Sequence, residues 1–127
     1  MKKRLRGFSL IEMLVVVVIV AILATMAIPS YREYVIRSHR RAAQAAMAEI
    51  ATRELQYFAA NRAFADTSAL GYTLAPEVSE YYSFTVTPAL SGSVPSFTVN
   101  FTAIGTQASD GNLALTSEGV KTPAGKW

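Results

Sequence analysis

Glu12 is the single charged residue in the run FSLIEMLVVVVIVAILATMAI, which spans residues 8–28. An ionised carboxylate in hydrocarbon costs about 2.5–3.5 kcal/mol on the milder insertion scales, quoted for Asp, Lys and Arg. Charges in such positions are functional by default, and the chemistry open to this one is pairing with a cation brought by another chain. A plainer reading is that Glu12, five residues into the run, snorkels to the interface. A second candidate is Arg37-Ser38-His39-Arg40-Arg41, where Arg37, Arg40 and Arg41 are the residues able to contact phosphates of DNA or of lipid headgroups. A solvated or inter-subunit face, with Arg37 tied to Glu33, is the simpler account, because the run has no aromatic interleaving. His39 has no partner for metal or proton chemistry. The chain has no Cys, which excludes thiol nucleophiles, iron–sulfur centres and Cys-based zinc sites. There is no phosphate-cradling Gly loop and no Ser/His/Asp set, and Glu77 and Glu80 read as solvated loop residues. Neither an enzyme nor a cofactor is expected.

The element that positions Glu12 is a membrane-length helix. Twenty-one residues at 1.5 Å rise span about 31 Å, roughly the hydrocarbon thickness of a bilayer. The flank MKKRLR places positive charge on the cytoplasmic side. Four of the 12 basic residues lie in positions 1–7, and removing that segment moves the formal side-chain charge from +3 to −1. The basic pI of about 9.4 therefore belongs to the leader and gives no ground for nucleic-acid binding by the body. A secretory signal peptide is the rival, with small residues near Ala24 and Ala27. The run exceeds the usual apolar core of such peptides, carries a carboxylate and continues into helical sequence.

Pro29 follows the apolar run and marks either its end or a hinge. Beyond it Ala43, Met47, Ile50, Ala51, Leu55 and Phe58 form one stripe of 3.6-residue period, facing away from Arg32, Arg37, Arg41, Glu49 and Arg53. Residues 8 to about 60 are compatible with one rod of roughly 80 Å, kinked or locally unwound at Pro29. Three alternating runs follow, at residues 81–87, 96–104 and 112–116, separated by Ser91-Gly92-Ser93 and Ser109-Asp110-Gly111. Their apolar faces need a cover, and the helical stripe supplies it. The expected fold is α+β: a long N-terminal helix packed on a small antiparallel sheet of three to four strands.

The segment Gly7-Phe8-Ser9-Leu10-Ile11-Glu12 resembles the class III signal of type IV pilins and pseudopilins. The likeness extends over the chain: basic leader, Phe8, Glu12, Pro29, long helix and C-terminal sheet. Tyr31-Arg32-Glu33-Tyr34-Val35, residues 53–64 and Gly119-Val120-Lys121-Thr122-Pro123 through Trp127 look like PilE-type minor pilins. The resemblance implies the type IV pilin fold in five parts. These are a leader at 1–7, a transmembrane and assembly helix at 8–28, an amphipathic half at 29–61, an αβ loop at 62–80, and the sheet with its C-terminal loop at 81–127. It further implies cleavage by prepilin peptidase between Gly7 and Phe8, methylation of the Phe8 amine, and pairing of Glu12 with that amine on a neighbouring subunit. Implied partners are other pilin subunits, the peptidase, the inner-membrane assembly platform and the membrane itself, with DNA possible but unsupported by the sequence. The implied location is a single inner-membrane pass with the body periplasmic, then an extracellular pilus serving motility, adhesion or DNA uptake. Alternatives are a type II secretion pseudopilin and a membrane-tethered module that binds DNA or another ligand. Many pilins close the C-terminal loop with a disulfide. Here Asp110 and Lys126 fall where the two Cys would stand, so an Asp110–Lys126 ion pair is the expected, weaker substitute.

Overall fold

The computed structural model describes residues 7–127. Residues 1–6, which form the basic part of the expected leader, lie outside the described residues. Helix α1 runs Leu10–Asn61. It starts two residues later than the apolar run because Ser9 caps it. Its far end is closed at Arg62, whose φ of 59° is the left-handed conformation that ends helices, and whose N–H donates to the Phe58 carbonyl at 2.8 Å. Helix α1 continues through Pro29. Proline removes one N–H from the ladder. Ser30 Oγ donates to the Met26 carbonyl at 3.1 Å and Thr25 Oγ1 to the Ile22 carbonyl at 2.6 Å, so side-chain hydroxyls bond to carbonyls on either side of that of Thr25, the one Pro29 leaves without its ladder donor.

The chain divides into two compact units, one ending at Val35 and one running Ile36–Trp127. In the first unit the apolar side chains of α1 from Leu10 to Ile28 lie mostly open, with Leu10 84% and Val17 64% exposed. That surface is membrane-length and strongly apolar, with a mean hydropathy of 2.9 over its best window.

The second unit holds every buried side chain among the described residues. Helices α2 (Thr67–Leu70) and α3 (Pro76–Ser79) give the expected αβ loop two single turns. Asp66 caps α2, accepting the Ala69 N–H at 2.7 Å. Strands β1 (Tyr82–Ser91), β2 (Val94–Ala103), β3 (Leu113–Thr116) and β4 (Lys121–Thr122) form one antiparallel sheet in that order. Pairs Val86↔Val99↔Leu115 and Phe84↔Phe101↔Leu113 lie on the inner face, where Phe101, Val99 and Leu113 are almost wholly buried. Gly92 turns the β1–β2 hairpin at φ 67°.

Two sequence expectations need correction. Strand β1 continues to Ser91, beyond the expected end at residue 87, because it is an edge strand. The missing N–H of Pro88 points outward and forfeits no ladder bond. Residues 105–110 form a 3₁₀ helix that begins the expected turn at Ser109-Asp110-Gly111. The sheet has four strands, within the expected three to four, and the fourth is two residues long. The fourth buried member of the helical stripe, after Ala43, Met47 and Ile50, is Glu54, whereas Leu55 is 59% exposed. At about 100° per residue Glu54 falls roughly 20° from Ala43 and Leu55 roughly 120° away. Helix geometry overrode side-chain polarity.

Candidate assembly site and basic recess

At the N-terminal site, residues 7–9 lie ahead of the helix and Phe8 is 79% exposed. The Glu12 N–H donates to Ser9 Oγ at 3.2 Å, and the Ser9 N–H donates to Glu12 Oε2 at 3.3 Å. This reciprocal pair is a capping box, and it places the carboxylate at the positive end of the helix dipole. The signal was present in the sequence as Ser-x-x-Glu before an apolar run, and the reading of Glu12 as a membrane charge passed over it. The same carboxylate therefore has a local partner in the single chain. Gly7 and Phe8 lie beside it, ahead of the helix.

In the second unit α1 carries Arg37, Arg40 and Arg41 toward the C-terminal segment. With Gln44, Lys126 and Trp127 they line a recess of about 200 Å³. Arg40 Nη1 donates to Asp110 Oδ1 at 2.6 Å, and Lys126 Nζ donates to the same oxygen at 3.3 Å. Asp110 thus joins two cations separated from it by 70 and 16 positions. The Arg40 side chain is only 16% exposed, so one of the three arginines named as phosphate contacts is committed inside the fold. Gln107 is fully buried behind Asp110. Its Nε2 lies 3.2 Å from Asp110 Oδ2, 3.0 Å from the Ile36 carbonyl and 3.0 Å from the Tyr82 hydroxyl, and shares its two protons among these three acceptors. Burial pushes the Tyr82 phenol above its ordinary value; the Gln107 bond opposes that, and the Asp110 carboxylate adds to it. The phenol stays neutral.

The C-terminal segment is tied to α1 by Gln44 Nε2, which donates to the Lys126 carbonyl at 2.7 Å. Lys121 Nζ stands 5.1 Å over the Trp127 ring, and Trp127 Nε1 donates to the Thr122 carbonyl at 3.4 Å. The aromatic partner missing from the arginine run is supplied from the other end of the sequence. Five of the seven basic residues in 36–127, Arg37, Arg40, Arg41, Lys121 and Lys126, gather here, although that segment as a whole is balanced by seven acidic ones. Sequence reasoning missed Lys121 and Trp127 as members of the group. His39 stacks on Tyr81 with ring centroids 3.6 Å apart. Among the described residues no cluster of His, Asp and Glu suits a metal ion.

Residues 29–114 match the model of a family described as type IV minor pilin ComP, DNA uptake sequence receptor, and residues 2–28 match the prokaryotic N-terminal methylation motif. The chain belongs to the ComP type IV minor pilin family. No curated protein and no solved structure matches it. The type IV pilin signal expected from Gly7, Phe8 and Glu12 and the minor-pilin class expected from residues 31–35, 53–64 and the C-terminal tail are both correct. Where the tail looks like PilE-type minor pilins, the matching model is that of ComP. The α+β pilin fold stands with it: α1 lies on a four-stranded antiparallel sheet. This pilin is a structural subunit and not an enzyme. Its methylation motif and apolar helix are consistent with a membrane-anchored pilin.

Proposed function

We propose that this pilin spans the inner membrane once with its N-terminus cytoplasmic, is cut by prepilin peptidase between Gly7 and Phe8, and is methylated at Phe8. It then enters a type IV filament through the apolar part of α1, with the assembly platform and other pilin subunits as partners. Glu12 exchanges its capping bond for the Phe8 amine of a neighbour, which removes the cost of an unpaired carboxylate in an apolar fibre core. Pro29, flanked by the hydroxyl bonds of Thr25 and Ser30, is the place where α1 bends or unwinds on moving from bilayer to fibre.

In the fibre the subunit holds DNA for uptake, the role named in its family's description. The observation that carries this reading is the basic recess. A charge-balanced body concentrates five cations and an indole at one place, the combination that neutralises backbone phosphates and offers a stacking face. The pair Asp110–Lys126 closes the C-terminal segment in place of a disulfide.

A soluble fragment from Ser30 onward tests the DNA role, since the unit Ile36–Trp127 contains the whole core. It should retard duplex DNA at about 50 mM salt, and Arg41→Gln with Lys121→Gln should weaken binding and flatten the salt dependence by about two in log–log slope. A fragment that folds and does not retard DNA would remove the DNA role and leave the structural one.

A further inference from the structure

We infer that Asp110 is a built-in anion that withholds Arg40 and Lys126 from DNA, leaving Arg41 and Lys121 to meet backbone phosphates. The inference rests on the DNA-holding reading of the recess. Two cations of the recess converge on one carboxylate oxygen, Asp110 Oδ1, at 2.6 and 3.3 Å. Asp110 is only 10% exposed. Its other oxygen is fixed by Gln107, which is fully buried and anchored to Ile36 and Tyr82. The carboxylate therefore has no freedom to swing aside when a phosphate approaches. A phosphate reaching Arg40 or Lys126 would have to displace an anion held by three donors from three parts of the chain.

A cation neutralised inside the fold contributes little to the neutralisation of DNA phosphates, so it drops out of the salt dependence of binding. The number of cations in the recess then overstates the number DNA can use, and Asp110 sets the difference.

The test is the salt dependence of binding to a mixed-sequence DNA duplex, measured with the full chain in zwitterionic detergent micelles. The leader cations Lys2, Lys3, Arg4 and Arg6 are the same in every variant, so differences between variants report the recess. Asp110→Asn should steepen the log–log slope by about two, at about 0.9 per phosphate, and bind DNA more tightly at low salt. Adding Lys126→Gln should return about half of that change. Glu118→Gln, which changes net charge equally away from Arg40 and Lys126, should leave the slope at the wild-type value. A folded Asp110→Asn protein with an unchanged or shallower slope, or one matched by Glu118→Gln, would overturn the proposal. If Asp110→Asn does not fold, the wild-type side-chain 15N signals decide. Those of Arg40 and Lys126 should stay in place on adding DNA while that of Arg41 shifts, and movement of the first two would overturn it. Failure of the underlying DNA reading looks different: wild-type binding that Arg41→Gln and Lys121→Gln leave unaltered.

Discussion

Replacing Glu54 by glutamine should stabilise the protein at neutral and alkaline pH and change little in acid. Glu54 is fully buried on the core face of α1. One oxygen, Oε2, accepts the Ala65 N–H at 2.9 Å and so ties the first residues after the helix back onto it, while Oε1 has no partner. Burial raises the Glu54 pKa; the Ala65 bond opposes this, and the charge of Asp66 adds to it. A carboxyl whose folded value lies above its unfolded one favours the fold in its protonated form. That stability is fully present below the unfolded value and is lost as pH rises through the folded one. Each unit of difference is worth about 1.4 kcal/mol at higher pH. Glutamine keeps an oxygen for Ala65 and has no charge to bury. An unpartnered buried polar atom costs about 1–3 kcal/mol, more when charged, so the gain at pH 8 should be about 1–2 kcal/mol. With a urea m-value of about 1–3 kcal/mol/M, the midpoint rises by roughly 0.5–1 M. The assay is urea unfolding of residues 30–127 followed by far-UV circular dichroism at pH 8 and near pH 3.5. A lower midpoint for Glu54→Gln at pH 8, or an equal gain at both pH values, would refute the reasoning.

Three further outcomes follow from the same geometry. The Val86 N–H on the open side of edge strand β1 donates to Thr67 Oγ1 at 2.8 Å, so Thr67→Val should cost about 1 kcal/mol and lower the melting temperature by about 4–8 °C. Arg40→Met should destabilise by about 1.5–3 kcal/mol because its bond to Asp110 is largely shielded, while Lys126→Met, at a side chain 32% exposed, should cost no more than about 1 kcal/mol. Equal losses in chemical denaturation would contradict that ranking. Glu12→Ala should still be found in membranes and be missing from sheared fibres on immunoblots, and its normal recovery in fibres would rule out the assembly role.

What could be read from the sequence was local. The apolar run with Glu12, the stripe Ala43, Met47 and Ile50, and the alternation of Phe97, Val99, Phe101 and Ala103 all depend on residues within a few turns or one strand. What escaped depends on distant partners. Helix periodicity puts Glu54 on the core face, but the donor that one of its oxygens accepts there, the Ala65 N–H, comes from eleven residues on. Pro88 is tolerated in β1 because no strand pairs beyond it, which is a property of the sheet. The recess joins Arg40 on α1 to Asp110 and Lys126, and no spacing rule reaches across 70 positions. The capping box at Ser9 and Glu12 is the exception, a local signal obscured by a second meaning of the same residue.

The central claim, that this chain is a processed subunit of a fibre, is tested most directly by the intact mass and N-terminal sequence of the protein in sheared surface fibres beside those from whole membranes. The account predicts a fibre-bound chain of 120 residues that begins at Phe8 and is one methyl group heavy. A chain that begins near Ala27, or one that keeps Met1 and never leaves the membrane, would contradict it.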